Sequence, residues 1–233
     1  MKQPQDNIEN YNWAFKFITK PINNIVEVGS RDALYAIELS KYFAANVLAF
    51  EPDPECISLC KKNLKLNNKL PVQLFTQALS NVNGFVEFNI YTSGNSSIYR
   101  HKTSPITKTI EIKTSRFDSL NLVAPDLLVI DAQSSEFEIL EGFGKNLSKT
   151  KYIIFETGFN SIYMTDKNFD FCNRYLKNLG FTFLATNVSG QGMLKFYVMR
   201  LRGLFYYFRL YGFRCLKEYS GFFDVLFVNK CIR

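Results

Sequence analysis

The chain alternates apolar runs with amphipathic segments, and this alternation constrains its fold more than any other feature. The first run, NIVEV at 24–28, is continuous and rich in β-branched residues, and Gly29 follows it directly. The next segments are a helical pattern at 32–43, an apolar run at 47–50, a helical pattern that ends near residue 66 and an apolar run at 71–76. This order is typical of parallel βαβ units, so the sequence predicts an α/β fold with a mostly parallel sheet.

The remaining segments predict further strands and helices. Two segments with alternating apolar residues, 84–91 and 106–114, flank a polar loop. The other predicted strands are 126–130, 151–155, 181–186 and 222–228, and the other predicted helices are 7–20, 135–143 and 169–179. Because no repeat or low-complexity linker divides the chain, we predict one domain over residues 1–233, with an N-terminal helix within 1–22.

Composition excludes several classes of protein. With 233 residues, the chain is long enough to bury a core without disulfides or metals. Five cysteines without a Cys-x-x-Cys pair, together with a single histidine, argue against a disulfide framework and a zinc site. The sequence shows neither a secretory pattern nor an apolar run of the roughly 18 residues that a membrane-spanning helix needs, so we expect a cytoplasmic protein.

The positive charge is concentrated towards the carboxyl end. Residues 191–233 hold eight basic and two acidic side chains, against 20 and 19 in residues 1–190. Residues 190–220 form a long basic and aromatic insertion between the last two predicted strands, with a helical apolar stripe opposite the basic residues. Such a helix either packs against the body or a second subunit, covers a binding site, or makes peripheral contact with an anionic membrane.

Acidic residues stand where predicted parallel strands end, which is where open parallel sheets bind ligands. The first strand ends in EVGSRD at 27–32, and Glu51, Asp131 and Glu156 end three others. A glycine at this position lets a ligand approach the backbone, and an acid 22 residues after Gly29 suits the hydroxyls of a ribose. The pattern alone is weak, because glycine turns and polar strand ends also occur in proteins that bind no nucleoside.

The two common phosphate-binding glycine motifs are absent from the sequence. Neither GxGxxG, which cradles a dinucleotide, nor GxxxxGK[ST], which cradles a nucleoside triphosphate, occurs in it. A nucleoside cofactor without a pyrophosphate remains compatible with the strand ends, and S-adenosylmethionine is the obvious one.

A set of segments in a fixed order carries a specific resemblance. They are IVEVGSRDALYAIELSKYF (25–43), VLAFEPDPECISLCKKNL (47–64), SGNSS (93–97), FDSL (117–120), LLVIDAQSSEFEILEGF (127–143) and YIIFET (152–157). Together they resemble the FkbM family of S-adenosylmethionine-dependent methyltransferases over roughly residues 24–160. The sequence departs from the family at Ala33 and Ser134, where members often carry glycine.

The resemblance implies a class I, Rossmann-like methyltransferase fold with a seven-stranded, mostly parallel sheet and helices on both faces. In that fold the last strand is antiparallel, and here a helical insertion at 190–220 precedes it. The resemblance also implies O-methylation of a sugar, a glycan or a glycosylated small molecule. The implied cofactor-binding residues are Glu27, Gly29, Ser30, Arg31, Asp32, Glu51, Pro52, Asp53, Gln77, Ala78 and Asp131. Glu51 would hold the ribose hydroxyls, and Asp131 would lie under the sulfonium.

Methyl transfer to a hydroxyl removes a proton, which calls for a general base or a metal. The candidate catalytic residues are Asp131, Glu156 and His101. Asp131 is either the base or only a cofactor ligand, and Glu156 is a base, a substrate ligand or a helix cap. His101 lies in the polar loop together with Ser96 and Ser97, which we expect to contact the substrate.

The acids near residue 131 allow further roles. Ser135 and Glu138 are spaced for a capping box, and the positive end of a helix dipole favours an acid such as Glu136. Asp131, Glu136 and Glu156 offer oxygen ligands for a divalent cation, although nothing in the sequence requires a metal.

We consider three functions for this sequence. The leading prediction is the O-methyltransferase with a small-molecule or glycan acceptor. Methylation of nucleic acid is disfavoured, because Asp-Ala-Gln-Ser at 131–134 stands where base-modifying enzymes usually carry Asn/Asp-Pro-Pro-aromatic. The alternative is a non-catalytic methyltransferase fold that binds a membrane or an anionic partner through 190–220.

Overall fold

The computed structural model describes most of the chain in atomic detail. The described residues are 12–91, 96–159, 161–165, 167–188, 190–191, 222–232 and scattered positions between 197 and 209. The helices are α1 (Asn12–Phe15), α2 (Leu34–Phe43), α3 (Pro54–Leu66), α4 (Glu136–Phe143) and α5 (Phe169–Asn178). The strands are β1 (Asn24–Val28), β2 (Asn46–Phe50), β3 (Val72–Phe75), β4 (Ala78–Leu79), β5 (Gly84–Ile90), β6 (Lys108–Ser115), β7 (Leu127–Ile130), β8 (Tyr152–Gly158), β9 (Phe181–Thr186), β10 (Gly190–Gln191) and β11 (Phe222–Asn229).

The main sheet has the strand order β10-β9-β11-β8-β7-β1-β2-β3. The neighbouring pairs from β3 to β8 are parallel, whereas β11 runs antiparallel to both β8 and β9. Seven strands therefore form the mostly parallel sheet with an antiparallel last strand that the sequence predicts, and the prediction of the fold is confirmed. The two-residue strand β10 extends the edge beyond β9.

Both faces of the sheet are buried. Alternate residues of β1 and β7 belong to two different apolar clusters, as Val26 and Leu128 do on one face and Ile25 and Leu127 on the other. Residues of α4 and α5 complete the first cluster, and residues of α1, α2 and α3 complete the second. Continuous apolar strands are the sequence pattern of a sheet covered on both faces, which explains the clear signal of the parallel strands.

The two alternating segments form a separate small sheet. β5 and β6 pair antiparallel, and β4 joins the outer side of β6 in parallel. Phe88 on β5 and Ile112 on β6 are buried. The loop that connects β5 to β6 passes over the carboxyl ends of the parallel strands, where it meets residues that follow β7.

The amino-terminal helix ends earlier than predicted. A helix was expected over 7–20, but among the described residues it spans Asn12–Phe15. After it, the backbone amides of Thr19 and Lys20 donate to the hydroxyl of Tyr152 on β8. Residues 1–11 lie outside the described residues.

Most of the basic insertion at 190–220 also lies outside the described residues. Its scattered described positions between 197 and 209 are helical, and Gly190–Gln191 form β10. Its expected contacts with a membrane or a partner therefore stay predictions. Within the described part of the chain, no helix is both long and apolar enough to span a membrane.

Candidate active site

A cleft, called here the first cleft, opens at the carboxyl ends of β1, β2 and β7. Its empty space is about 870 Å³, part of which is open solvent. The sequence-predicted residues that line it are Gly29, Arg31, Glu51, Pro52, Asp53, Ala78, Ser96 and Asp131. The apolar lining includes Leu79, Phe88, Ile98 and Ile139. Parallel strands bring these separate segments together because their carboxyl ends share one edge of the sheet.

Gly29 lets β1 and β7 approach each other at this edge. Its φ of +88° lies in the left-handed region, and its N–H donates to the carbonyl of Phe50 at 2.9 Å. A Cβ at this position would lie 1.9 Å from the backbone carbonyl oxygen of Asp131, far inside van der Waals contact. Glycine is therefore required here by the packing of the two strand ends as well as by the backbone angle.

Glu51 is buried, and two backbone amides fix its carboxylate. Oε2 accepts from the N–H of Arg31 at 2.7 Å, and Oε1 accepts from the N–H of Asp53 at 2.8 Å. Burial raises the pKa of Glu51 to about 7, while these two hydrogen bonds act in the opposite direction. The carboxylate is held rigidly on the lining of the first cleft and keeps further lone pairs for a ligand.

Asp131 follows β7 and faces the first cleft. Its side chain is exposed to the cleft, yet the surrounding protein desolvates the carboxyl enough to raise its pKa above the ordinary value. The side-chain amide of Gln133 donates to its Oδ1 at 3.1 Å, which favours the ionised form. An acid in this position can balance a positive charge on a bound ligand.

Other implied cofactor residues lie behind the lining of the first cleft. Glu27 is buried and accepts a hydrogen bond from the hydroxyl of Ser30, and burial raises its pKa to about 8. Asp32 accepts from the N–H of Leu34, the first residue of α2, at 3.0 Å. Gln77 is buried directly before β4. The structure thus assigns supporting contacts to Ser30 and Asp32, and their direct contact with a cofactor stays a prediction.

A second cleft adjoins the first on the side of β8. Its lining includes Gln133, Glu136, Glu156, Ser161, Tyr163, Lys167 and Phe222, and Gln133 also lines the first cleft. Glu156 lies within β8, which continues to Gly158, so it is not a helix cap. Burial, followed by the charges of Asp131 and Asp224, raises the pKa of Glu156 to about 7.

Gln133 joins the two clefts, and the sequence analysis assigned it no role. Its Nε2 donates to Asp131 Oδ1 at 3.1 Å and lies 3.4 Å from Glu156 Oε2. Its Oε1 accepts from the hydroxyl of Tyr163 at 2.9 Å. A glutamine three residues after a strand end carries no recognisable sequence signal, because only the fold brings Glu156 and Tyr163 beside it.

The segment before α4 is organised differently from the capping box that the spacing suggested. Ser135 is the residue before the helix, but its side chain makes no capping hydrogen bond. Instead, Glu136 Oε1 accepts from the N–H groups of Ala132 and Ser134 at 3.2 and 3.1 Å. Glu138 is not available as the capping acid, because it accepts from Tyr99 and forms an ion pair with Lys167 at 2.5 Å.

The three predicted site residues of the polar loop lie in three different environments. Ser96 lines the first cleft. Ser97 is fully buried, and its hydroxyl donates to the backbone carbonyl of Gln133 at 2.7 Å, so it fastens the loop to the segment after β7. His101 Nδ1 accepts from the N–H groups of Thr103 and Ser104, and its ring packs edge-on against Tyr163. These contacts of His101 stabilise the loop, and His101 lines neither cleft.

Metal ligation has no clear basis in the described residues. Among them, no group of three or more His, Cys, Asp or Glu side chains has the arrangement of a metal site. Asp131 and Glu156, which were considered as oxygen ligands, are instead joined through the amide of Gln133.

Comparison with known proteins assigns the family. The model of the methyltransferase FkbM domain matches residues 27–183, which include the acidic residues that line the two clefts. This chain belongs to the FkbM methyltransferase family. The resemblance noted in the sequence is confirmed.

Two curated proteins are similar to this FkbM chain. The 2-O-methyltransferase NoeI of Sinorhizobium fredii (strain NBRC 101917 / NGR234) is 23% identical over 183 residues, which cover 70% of this chain and 74% of NoeI. Methyltransferase 1 of Beauveria bassiana (strain ARSEF 2860) is 26% identical over 142 residues, which cover 51% of this chain and 57% of that protein. Both relatives are methyltransferases by name.

Solved structures agree on the fold. The crystal structure of methyltransferase FkbM from Methylobacillus flagellatus KT matches with a TM-score of 0.53 at 11% identity, over 78% of this chain and 47% of that chain. A ribosomal protein L11 methylase from Lactobacillus delbrueckii subsp. bulgaricus matches with a TM-score of 0.51 at 13% identity, over 94% and 75%. This chain spans about half the length of the first of these structures, and at these identities the likeness shows the fold alone.

Membership of this family implies S-adenosylmethionine as the methyl donor, and the first cleft suits it chemically. The fixed carboxylate of Glu51 can accept from the two ribose hydroxyls, and Asp131 can balance the positive sulfonium or ammonium group. Leu79 and Ile139 supply apolar surface for the flat adenine ring. The two carboxylates and the apolar lining of the first cleft therefore fit the cofactor.

Proposed function

We propose that this FkbM methyltransferase transfers a methyl group to a hydroxyl of a sugar, a glycan or a glycosylated small molecule. One observation carries the proposal: a second, acidic cleft meets the first cleft at Asp131, Gln133 and Glu156. An acceptor in the second cleft would lie next to a carboxyl whose pKa of about 7 suits a general base at neutral pH. The 2-O-methyltransferase activity named for NoeI supports oxygen as the methylated atom.

The lining of the second cleft favours a neutral, hydroxylated acceptor. Glu136 and Glu156 bring carboxyl groups, and Ser161 brings a hydroxyl. Lys167 is the one cation among the described lining residues, and its charge is already paired with Glu138. Phe222, which is 42% exposed, offers an aromatic face at the edge. Carboxylates that accept from hydroxyls, beside an aromatic face, suit a sugar ring better than a phosphate group.

The residues of the two clefts take different parts in the proposed reaction. S-adenosylmethionine, when bound, supplies an electrophilic methyl group. Glu51 and Asp131 hold and orient the cofactor, and Glu156 accepts the proton that the acceptor hydroxyl loses. Since a base must be ionised to accept a proton, kcat/KM should rise as the pH passes upward through about 7.

The experiment is a transfer assay with tritium-labelled S-adenosylmethionine and a panel of monosaccharides, methyl glycosides and oligosaccharides. We expect label in at least one carbohydrate, and a loss of activity of about 100-fold or more in Glu156→Gln. Glu111→Gln, which alters an exposed carboxyl on β6, serves as the matched control and should leave the rate unchanged. Label in RNA or protein but in no carbohydrate would contradict the proposal, and no transfer with any acceptor would favour a binding module.

A further inference from the structure

The segment that joins the clefts is held in an unusual backbone conformation. Gln133 and Ser134 have φ values of +50° and +76°, in the left-handed region that residues with a Cβ rarely adopt. Three contacts from separate elements hold this conformation. The buried hydroxyl of Ser97 donates to the carbonyl of Gln133, Ser134 pairs with the hydroxyl of Ser161 at 2.9 Å, and Glu136 binds the N–H of Ser134. A strained backbone conformation that several surrounding contacts maintain is typical of functional segments.

The orientation of the Gln133 amide follows from its partners. Ionised carboxylates only accept hydrogen bonds, so the NH₂ group must face Asp131 and Glu156. The amide oxygen then faces Tyr163, whose hydroxyl donates to it at 2.9 Å. The two N–H bonds of one amide are thus directed to two carboxylates, that of Asp131 directly after β7 and that of Glu156 on β8, one in each cleft.

We propose that Gln133 is a positioning residue for methyl transfer, whose amide holds the carboxylates of Asp131 and Glu156 in a fixed arrangement across the junction of the two clefts. The inference rests on the proposed function, because it assigns Asp131 to the cofactor and Glu156 to the acceptor. Tyr163 takes part by fixing the direction of the amide. The reaction needs the acceptor oxygen aligned with the methyl donor, and a displacement of about 1 Å can cost about 100-fold in rate.

Several charged groups surround Glu156. Asp131 after β7 and Asp224 on β11 oppose its negative charge, and Glu136 on α4 lies in the same cleft. Lys167 lines this cleft as well, with its charge paired to Glu138. The amide of Gln133 favours the ionised carboxylate, so its removal should move the titration of Glu156 to higher pH.

The first test follows the carboxyl carbon of Glu156 directly by NMR, in protein labelled with ¹³C at the glutamate side-chain carboxyl. Glu156→Gln identifies the resonance, which should titrate near pH 7 in the parent protein. Gln133→Met keeps the length of the side chain and removes its hydrogen bonds, so the midpoint should move to higher pH. Tyr163→Phe should move it in the same direction by less. Gln73→Met, an exposed glutamine on β3, is the matched control and should leave it unchanged.

The second test measures methyl transfer to the carbohydrate that the panel identifies. In Gln133→Met we expect kcat to fall by between about tenfold and 100-fold and the pH profile of kcat/KM to shift upward, with a melting temperature close to that of the parent. An unchanged Glu156 titration in Gln133→Met would overturn the inference, and so would a parent-like rate. If the parent protein methylates no carbohydrate, the proposed function fails instead, and the NMR titration still decides whether Gln133 controls Glu156.

Discussion

At the scale of single residues, carboxyl groups with raised pKa values dominate the site. Burial is the largest cause for Glu51, Glu136 and Glu156, and for Glu27 beneath the first cleft. Each of the first three is nevertheless held by a hydrogen bond from a backbone amide or from Gln133. Such groups change charge with small changes in their surroundings, which suits a site that binds a cation and accepts a proton.

Gly29→Ala is expected to damage the protein more than an ordinary glycine substitution in the left-handed region. Its new Cβ would lie 1.9 Å from the backbone oxygen of Asp131, so β1 and β7 must separate at the site. We expect a loss of at least about 2 kcal/mol in the free energy of unfolding, measured by urea denaturation.

The matched control for this prediction is Gly84→Ala. Gly84 also has a positive φ, of +141°, but nothing lies within 4 Å of its notional Cβ. The Gly84→Ala variant therefore has the energetic cost of a positive φ without a steric collision. Equal losses of stability in the two variants would show that the contact with Asp131 is unimportant.

At the scale of elements, the sequence predicted what local patterns control. The parallel strands were found because they are continuous apolar runs, and β1 was predicted with its observed bounds, Asn24–Val28. The acids at the strand ends were predicted to lie together because the carboxyl ends of parallel strands meet at one edge of the sheet. Contacts between distant segments had no such signal, as with the hydrogen bonds from Thr19 and Lys20 to Tyr152. The same holds for the contacts of Gln133 with Tyr163 and Glu156.

Asp126 joins β1, β7 and β8 at the amino ends of these strands, away from the two clefts. Its carboxylate accepts from the N–H groups of Asn23 and Asn24 before and in β1, and it forms an ion pair with Lys151 at 2.8 Å, just before β8. Burial alone would raise the pKa of Asp126, but Lys151 and the two amides lower it below the ordinary value.

Asp126→Asn is therefore expected to lower stability by about 1–2 kcal/mol at pH 7, since hydrogen bonds to a charged group are lost. A carboxyl with a lowered pKa in the folded state stabilises above its unfolded pKa, and this contribution disappears as the pH falls. The difference between parent and variant should shrink as urea denaturation is repeated from pH 7 towards pH 3. A difference that is independent of pH would contradict this role for the charge.

At the scale of the whole molecule, the main sheet brings the acidic residues of the site together at one end. Glu27 is the last residue but one of β1, Glu51 directly follows β2, and Asp224 pairs with Glu156 across β11 and β8. The charge distribution of the sequence alone showed only that residues 1–190 are nearly neutral. The clustering arises because parallel strands share one direction, so acids that are spread along the chain meet at one edge.

This clustering predicts that stability decreases as the pH rises from about 5 to about 8. The folded pKa values of Glu27 and Glu136, about 8, lie above their unfolded values, so the folded state keeps protons that the unfolded state has released. Stability is then greatest below the unfolded pKa values and is lost as the pH rises through the folded ones. We expect a melting temperature at pH 8 that is at least about 4 °C lower than at pH 5.

Glu27→Gln tests the origin of this pH dependence. The amide cannot ionise and can still accept from the hydroxyl of Ser30, so the variant should lose less stability than the parent between pH 5 and pH 8. Glu111→Gln, at an exposed position, should behave as the parent does. A parent-like pH dependence in Glu27→Gln would mean that Glu27 ionises normally in the folded protein.

We infer that S-adenosylmethionine binds in the first cleft through Glu51. Isothermal titration calorimetry of the parent, Glu51→Ala and Glu111→Ala with S-adenosylmethionine tests this binding. We predict binding in the micromolar range by the parent and Glu111→Ala, and affinity weakened about tenfold or more in Glu51→Ala, which loses a charged hydrogen-bond acceptor. Absence of binding by the parent, or equal affinity in Glu51→Ala, would show that Glu51 does not hold this cofactor.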